Sequence, residues 1–364
     1  MGFEQFRGNE TTVRRLREMI SRDHLPHAII LTGGRGSGKF TLAQMVAKAV
    51  NCLEHPVADD GLPDFCGRCR NCERIAQGDD LEHRFAEAVE AREAMRDADK
   101  RETRIFVQTH PEVLIIPPDP PQMLVKVDQV RHVIGEMYYR PTEGRQKFYI
   151  FSESNFMKEA ANALLKVLEE PPDFATLFLL AENSNALLPT IRSRCITLRL
   201  APLTAAEIGE DLALRPEWTA AQKKLVARLC GGAIGRARSF DLNGYLGARK
   251  DAILLLSTAL GENDHSALFR ATEAYRAGGE GKGKTDQLIS VLYTVLEDLL
   301  LLKSGAAELM RNEDIHAELA KMAALVGFEW IVRASDGLGD VQNGMRRNLL
   351  RSLSLDGYSS SIEI

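Results

Sequence analysis

The sequence predicts an α/β fold in which a doubly wound parallel sheet is followed by an all-helical remainder. Three observations support this prediction. Short apolar runs of strand length recur over the first 200 residues, and helical patterns separate them. A glycine-rich turn follows the first run and leads directly into a helical pattern. Beyond Pro202 the strand signal ends and helical patterns follow.

Five runs are predicted as buried strands because each is short and apolar. They are HAIILTG (27–33), EVLII (112–116), KFYIF (147–151), ATLFLLA (175–181) and CITLRL (195–200). Since helical patterns separate these strands, we expect a parallel sheet.

Helical patterns are predicted after the first strand and through the last third of the chain. They include KFTLAQMVAKAV (39–50), LISVLYTVLEDLLLL (288–302) and AALVGFEWIVRA (323–334). Segment 79–104 is rich in charge with weak apolar spacing, which favours a solvated helical insertion. RAGGEGKGK (276–284) is predicted as a loop because glycine recurs in it.

Composition and charge exclude several classes of protein. Of 364 residues, 45% are hydrophobic and 27% are charged, which is typical of a globular chain of two or three domains. A formal net charge of -5 gives no general electrostatic signature of nucleic-acid binding. The first residues are too polar for a signal peptide, and no apolar run reaches transmembrane length. We therefore expect a cytoplasmic protein without membrane contacts.

The stretch GGRGSGKFTLA (33–43) has the spacing of a phosphate-binding loop. It follows a strand and opens a helix, so backbone N–H groups and the helix N-terminus would favour phosphate. The candidate nucleotide-binding residues are Gly33, Gly36, Gly38, Lys39, Phe40 and Thr41. A glycine-rich turn without a ligand is the alternative.

Both positions expected to hold Mg²⁺ carry unsuitable residues. Phe40 stands where a serine or threonine hydroxyl would coordinate the ion, and Thr41 lies about 100° further round the helix. After the KFYIF strand, Ser152 and Glu153 stand where two acidic residues are expected. Two losses at one metal site predict loss of ATP hydrolysis.

Four cysteines are spaced as a structural metal site. Cys52, Cys66, Cys69 and Cys72 form the pattern C-x13-C-x2-C-x2-C, and four thiolates close the tetrahedral shell of Zn²⁺. Unligated thiols in a loop are the alternative. Cys195 and Cys230 are interpreted as packing residues.

Several unusual motifs occur in an order that closely resembles a known family. They are the four-cysteine segment, ANALLKVLEEPP (161–172) and LLPTIRSRC (187–195), with support from HAIILTG and VDQVR (127–131). Over about residues 3–240 the chain resembles the clamp-loader ATPase subunits of bacterial DNA polymerase III, within the AAA+ family.

The resemblance implies a domain organisation. An AAA+ nucleotide-binding-like domain is expected over 1–201, with a zinc module at 52–72 and the insertion at 79–104. A helical lid domain over 202–243 and a helical collar domain for oligomerisation over 244–364 are expected to follow. Implied partners are other clamp-loader subunits of the tau/gamma and delta types, a sliding clamp and primer–template DNA.

Motor subunits of this family carry Gly-Lys-Thr and Asp-Glu, and Phe40 and Ser152 depart from both motifs. THPEV (109–113) resembles a His-Pro-acidic stretch of the delta-prime branch, and we expect no long extension of the tau kind. The resemblance therefore implies a ring member whose own ATP hydrolysis is weak or absent. The resemblance allows ATP or ADP binding without requiring it.

Two arginines receive implied roles. Ser193-Arg194-Cys195 matches a family motif in which the arginine enters the ATP site of the neighbouring subunit, so Arg194 is expected to act as a catalytic finger in trans. GGAIGRARSF (231–240) resembles the lid motif that carries the second sensor, which implies that Arg236 reaches this chain's own phosphates. Asn183 lies near the first sensor position. Exposed arginines without these roles are the alternatives.

Two further functions stay open. The chain could be an active tau/gamma-like ATPase. This alternative predicts ATP hydrolysis by assemblies that contain no other ATPase chain. It could also be a zinc-stabilised nucleic-acid-binding module outside any ring. Arg14, Arg15 and Arg17 form the nearest basic cluster, and we interpret them as a solvated helix face.

Overall fold

The computed structural model describes residues 2–261, 265–273, 275, 278–346 and 351–363. The chain forms two compact units. The first comprises Met1–Ile208 and Gly232–Arg236, and the second comprises Gly209–Gly231 and Ala237–Ile364. The three-part division at residues 201 and 243 stays a prediction.

The first unit is built on a six-stranded sheet. Its strands are β1 (Ala28–Thr32), β2 (Val107–His110), β3 (Val113–Ile116), β4 (Lys147–Phe151), β5 (Ala175–Ala181) and β6 (Ile196–Arg199). The order across the sheet is β2-β3-β4-β5-β1-β6, and only the β2–β3 pair is antiparallel. The five predicted strands are confirmed, but β6 is not a buried strand, since only Leu198 is buried in it. β2 is a strand that the sequence analysis missed.

The five parallel strands give the sheet two chemically different edges. The parallel strands all end at one edge of the sheet, which we call the carboxyl edge. It is marked by Thr32, Phe151 and Ala181, the last residues of β1, β4 and β5. The opposite edge, at which these strands begin, is the amino edge, marked by Ala28 and Lys147. In a doubly wound sheet, ligands bind outside the carboxyl edge.

Helices lie between the strands along the chain. They are α1 (Glu10–Ser21), α2 (Lys39–Asn51), α3 (Arg70–Ala76), α4 (Leu81–Glu93), α5 (Asp97–Glu102), α6 (Val127–Met137), α7 (Lys158–Glu169) and α8 (Pro189–Arg192). Short 3-10 turns occupy Phe3–Gln5 and Ser184–Ala186. Helices α4 and α5 confirm that segment 79–104 is helical. Helix α7 ends before the paired prolines of LEEPP, which cannot continue it.

Helices cover both faces of the sheet, so the four inner strands β1, β3, β4 and β5 are buried on both sides. Along β4, Phe148 and Ile150 join a core with α1, α2 and α3, while Tyr149 and Phe151 join a second core with α6, α7 and α8. This alternation follows the two-residue period of a strand. Each such side chain contributes about 1.5–3 kcal/mol on burial. Two-sided burial is why these strands read as continuous apolar runs.

From residue 205 onward, all regular elements of the described residues are helical. They are α9 (Ala205–Leu212), α10 (Ala220–Leu229), α11 (Ile234–Arg238), α12 (Leu242–Ala259), α13 (His265–Glu273), α14 (Gly278–Lys303), α15 (His316–Leu325), α16 (Phe328–Arg346) and α17 (Arg351–Ser361), with 3-10 turns at Ala307–Leu309 and Glu313–Ile315. This confirms that the strand signal ends near Pro202.

Two helical boundaries differ from the sequence prediction. The predicted loop at 276–284 is wrong from Gly278, where α14 begins, and residues 276 and 277 lie outside the described residues. The apolar stretch 288–302 extends the helix, and this outweighs a cost of about 1 kcal/mol for each glycine. The predicted helix at 323–334 is broken, because Val326 is extended (φ -106°, ψ 153°) and α16 starts only after Gly327.

Candidate functional sites at the two edges of the sheet

The phosphate-loop candidate lies at the carboxyl edge, between β1 and α2. Gly36 (φ 80°) and Gly38 (φ 89°) adopt a left-handed backbone that other residues rarely tolerate. A Cβ on Gly36 would lie 2.9 Å from the backbone nitrogen of Arg236, and one on Gly38 would lie 3.0 Å from the ring of Phe6. Both conformation and close packing therefore require glycine at these positions.

Lys39 directs its ammonium group into the loop. Nζ donates hydrogen bonds to the carbonyl oxygens of Gly33 (2.7 Å) and Gly34 (2.9 Å). An ammonium has three N–H donors, so one is left for a ligand. Burial lowers the pKa of Lys39, and the carboxylates of Glu182 and Glu153 oppose this shift. Lys39 is thus placed to meet an anion at the loop.

The neighbouring residues do not supply the two ligands that a magnesium site at this edge requires. Phe40 packs against the core that α1 and α2 share with the sheet, and a phenyl ring offers no oxygen. Thr41 is exposed. After β4, Ser152 is half-buried and Glu153 is exposed. Phe40 therefore stabilises the fold at the position where the metal ligand is missing.

The residue that directly follows β5 is Glu182, not Asn183. Asn183 accepts a hydrogen bond from the N–H of Asn185 (2.9 Å) and caps the 3-10 turn at Ser184–Ala186. Glu182 lies close enough to influence Lys39 electrostatically. Sequence reasoning missed Glu182 because a strand end cannot be located from the sequence to within one residue.

Arg236 lies beside the phosphate loop. The segment Gly232–Arg236 belongs to the first unit, and the N–H of Gly235 donates to the carbonyl of Gly36 (2.8 Å). The side chain of Arg236 is exposed. Arg238, in the second unit, is instead held by both carboxylate oxygens of Asp211 (2.9 and 2.6 Å). Arg236 is thus placed beside the loop of its own unit.

Arg194 lies at the amino edge, just before β6. Its NH2 donates to Oε1 of Glu169 at 2.6 Å, and its NH1 donates to the carbonyl of Thr190 at 3.0 Å. Its own carbonyl lies 3.2 Å from Nε2 of His27, which must donate because a carbonyl only accepts. Cys195 packs against the core shared with α6 and α7, and burial raises its pKa to about 12.

Arg194 and the phosphate loop lie at opposite edges of the sheet. Ile196 pairs with Ile29 near the beginning of β1, whereas the loop follows Thr32 at the end of β1. From His27, which contacts Arg194, to Gly33 the chain rises about 20 Å at 3.3 Å per residue. An extended arginine side chain is shorter than this distance. Arg194 therefore cannot reach the phosphate loop of its own chain.

The four predicted cysteines come together where α2 ends. Cys52 follows α2, Cys66 and Cys69 lie in the next loop, and Cys72 lies in the first turn of α3. Their four sulfur atoms all lie within 4.8 Å of one another. Four thiolates 2.3 Å from one ion would be separated by about 3.8 Å. This cluster can hold a metal ion with little rearrangement.

Backbone N–H groups prepare part of this cluster for thiolate chemistry. The N–H groups of Leu53 and Cys72 offset the effect of burial and lower the pKa of Cys69 to about 7. Burial raises the pKa of Cys66 and, more strongly, that of Cys72. Because a metal ion binds thiolates, binding would release the protons of the more basic cysteines.

Arg17, which was interpreted as part of a solvated helix face, is instead structural, and so is Arg92 in the insertion that was predicted to be solvated. Arg17 is 8% exposed, and its guanidinium binds both carboxylate oxygens of Asp60 (2.6 and 2.9 Å) beside the cysteine cluster. Within the insertion, Arg92 is 6% exposed and donates to the fully buried Asp119 (2.8 Å). The sequence carries no local signal for either pair, because the partners lie 43 and 27 residues away.

The His-Pro-acidic stretch is a structural support of the amino edge. Glu112 is buried, and its carboxylate accepts from the N–H groups of Thr142 (2.6 Å) and Glu143 (3.0 Å). His110 is fully buried, and its Nδ1 accepts from the N–H of Glu112 (3.1 Å). Burial lowers the pKa of His110, with a further contribution from Arg74.

Within the part of the chain that the structure describes, no helix combines the length and apolarity needed to cross a membrane.

Comparison with known proteins agrees with these motifs. A family model described as DNA polymerase III, delta subunit, matches residues 8–204. The delta' subunit of Bacillus subtilis is 26% identical over 84% of this chain and 80% of its own length. The tau subunit of Escherichia coli is 27% identical over 91% of this chain and 42% of its own length. The delta' subunit of Pseudomonas aeruginosa is 31% identical over 57% of this chain and 53% of its own length.

The chain therefore spans less than half the length of the tau relative, and most of the length of the Bacillus delta' relative. The family model covers more than half of the 364 residues and includes the phosphate loop, the four cysteines and Ser193-Arg194-Cys195. This chain belongs to the AAA+ family of DNA polymerase III clamp-loader subunits.

Proposed function

We propose that the chain is a delta-prime-like ring subunit of a clamp loader, and that it supplies Arg194 to the ATP site of a neighbouring subunit. The observation that carries this proposal is the position of Arg194 at the edge opposite its own phosphate loop. A guanidinium placed there can serve a nucleotide only in another chain. The ring would use it to help load a sliding clamp on primed DNA.

The proposed chemistry of Arg194 is electrostatic. Negative charge spreads over the γ-phosphate oxygens during transfer, and a planar guanidinium can neutralise it with two N–H donors. Arginine fingers contribute about 10³–10⁵-fold to the rate in related phosphoryl transfers. This contribution needs neither a phosphate loop nor a metal ligand in the chain that donates the arginine.

For the chain's own site we propose nucleotide binding without effective turnover. The N-terminus of α2 and the remaining N–H donor of Lys39 support binding of the phosphates of ATP or ADP, with Arg236 beside the loop. Because Phe40 and Ser152 do not fit a magnesium ion, no hydrolytic step is assigned to this site.

A tau/gamma-like active ATPase is the second candidate. The intact loop geometry around Lys39 favours it, as does the similarity to the tau subunit. Missing metal ligands weigh against it. Steady phosphate release by the purified chain, abolished by Lys39→Ala, would establish this alternative and overturn the non-motor assignment.

We propose that the four-cysteine cluster holds Zn²⁺. Four thiolates suit zinc, and a closed shell leaves no position for a substrate, so the ion would be structural. The ion would hold α3 and the loop that follows α2 in position. A larger apolar core would otherwise be needed for this. Zinc is one of the metals that soft thiolate ligands select.

The proposed partners are the tau/gamma and delta subunits, the sliding clamp and primer–template DNA, in the cytoplasm. A DNA-binding module acting outside a ring is the less supported reading. In the basic cluster of Arg14, Arg15 and Arg17, the guanidinium of Arg17 is bound by Asp60, and Arg14 forms an ion pair with Glu18 (3.0 Å). Contacts of the whole ring with the DNA backbone would be independent of sequence.

The test is ATP hydrolysis by a loader reconstituted with clamp and primed DNA. Arg194→Ala in this chain should lower the rate by at least 100-fold while the complex still assembles. Arg192→Ala is the matched control, because Arg192 lies two residues away and its NH1 donates to Asn185 (2.6 Å). An unchanged rate with Arg194→Ala would contradict the proposed function.

A further inference from the structure

Glu169 stands out because it is an acidic side chain in direct contact with the proposed finger. Oε1 of Glu169 accepts from NH2 of Arg194 at 2.6 Å. Glu169 is the last residue of α7, where the helix dipole disfavours negative charge. The side chain of Arg194 is 35% exposed and that of Glu169 is 53% exposed. Ion pairs this exposed add little to stability. Stability therefore gives little reason for this contact.

The contact leaves most of the guanidinium free. A guanidinium has five N–H donors, and Arg194 uses one for Glu169 and one for the carbonyl of Thr190. Both anchors hold the group from its own chain. As far as the described residues are concerned, three N–H donors remain for an incoming phosphate, which is enough for a bidentate contact.

The main chain of Arg194 is also held. Nε2 of His27 donates to the carbonyl of Arg194 (3.2 Å), and His27 directly precedes β1, which is paired on both sides by β5 and β6. Behind Arg194, Cys195 is packed into the core. The base of the side chain is thus fixed by the fold, while Glu169 fixes its tip. A long flexible side chain restrained at both ends loses little further freedom when it meets its target.

We infer that Glu169 is a positioning residue for Arg194: its carboxylate orients the guanidinium before the neighbour's ATP arrives. This inference rests on the proposed function of Arg194. Preorganised charge stabilises a transition state without a reorganisation cost at the moment of reaction. Loss of Glu169 should therefore lower kcat and leave KM for ATP unchanged, because the interaction acts on the transition state.

The experiment measures kcat and KM for ATP of the reconstituted loader with substitutions in this chain alone. Glu169→Ala should lower kcat roughly tenfold, since small misplacements of a catalytic group are costly. Glu169→Gln keeps an acceptor oxygen and should recover most of the rate. Glu170→Ala is the matched control: Glu170 is the next residue, and its backbone carbonyl, not its carboxylate, accepts from Tyr138 (3.3 Å). It should leave kcat unchanged.

A double-mutant cycle separates this inference from the proposed function. In a background of Arg194→Ala, Glu169→Ala should have no further effect, because the residue it positions is gone. If Arg194→Ala lowers kcat but Glu169→Ala does not, or raises it, the positioning role is wrong while the finger stands. If Arg194→Ala itself has no effect, the proposed function fails first. An equal loss from Glu169→Ala in both backgrounds would assign Glu169 a role independent of Arg194 and would also overturn the inference.

Discussion

Under our proposal, the carboxyl and amino edges of the same sheet carry different parts of the machinery for phosphate chemistry. At the carboxyl edge the loop and Lys39 remain, but Phe40 and Ser152 replace the expected metal ligands. At the amino edge Arg194 remains and is held by Glu169, Thr190 and His27. The difference teaches that one edge can lose a function while the other keeps it, because the two edges serve ATP sites in different chains under our proposal.

Physical coupling to the fold explains why the carboxyl edge keeps its shape. Gly36 accepts a hydrogen bond from Gly235 and is packed against Arg236, while Phe40 belongs to the core. Changing the loop would therefore disturb packing even where no nucleotide turns over. An intact loop geometry alone is thus weak support for hydrolysis.

The largest effect is expected at the four-cysteine cluster, the proposed metal site. Cys69→Ser should lower the free energy of unfolding by roughly 3 kcal/mol or more through loss of the ion. Thermal melting with and without a chelator checks this. The chelator should lower the Tm of the wild type and of the control Cys195→Ala, and should have no further effect on Cys69→Ser. A melt insensitive to both the substitution and the chelator would rule out a structural metal.

Rebuilding the carboxyl edge sharpens the comparison. Phe40→Thr together with Ser152→Asp should raise affinity for ATP in the presence of Mg²⁺ about tenfold, a change of about 1.4 kcal/mol. Each change alone should do little, because one ligand is still missing. Phe40→Thr should also cost about 1–3 kcal/mol of stability through lost packing. Calorimetric titration with and without Mg²⁺ measures the first effect, and equal affinities for wild type and double variant would show that these positions do not limit metal binding.

A smaller effect is expected from His110, which supports the amino edge. Its folded pKa lies below the ordinary value of 6.5 because it is buried. As pH falls below 6.5, the unfolded chain takes up a proton that the folded chain does not, so stability is lost in that window. Between pH 7.5 and 5.5 the wild type should lose up to about 1 kcal/mol more than His110→Gln. Urea unfolding at both pH values measures this, and equal losses in the two proteins would contradict the shifted pKa.

Much of the fold could be predicted from the sequence because its signals are local. Two-sided burial makes β1 apolar from Ala28 to Leu31 and β4 apolar from Phe148 to Phe151, and the glycines of the loop mark the turn into α2. β2 was missed because it is only four residues long, is the outermost strand on one side of the sheet, and has polar residues at Gln108 and Thr109. The break before α16 was missed because an apolar pattern does not show where it changes from one helix to the next.

The sites, too, could be predicted only where the sequence carries a local signal. The four cysteines were found because their spacing is itself the signal. The contacts of Arg194 with Glu169 and of Arg17 with Asp60 were not found, because they join residues that only the fold brings together. Position at an edge of the sheet also follows from topology, which short motifs do not contain.

The most direct test of the difference between the edges is ATP hydrolysis by the reconstituted loader with Lys39→Ala or Arg194→Ala in this chain alone. We predict that Lys39→Ala leaves the rate within about twofold of the wild type, while Arg194→Ala lowers it by at least 100-fold. A large loss with Lys39→Ala and no loss with Arg194→Ala would contradict the account, since it would place the working ATP site at the carboxyl edge of this chain.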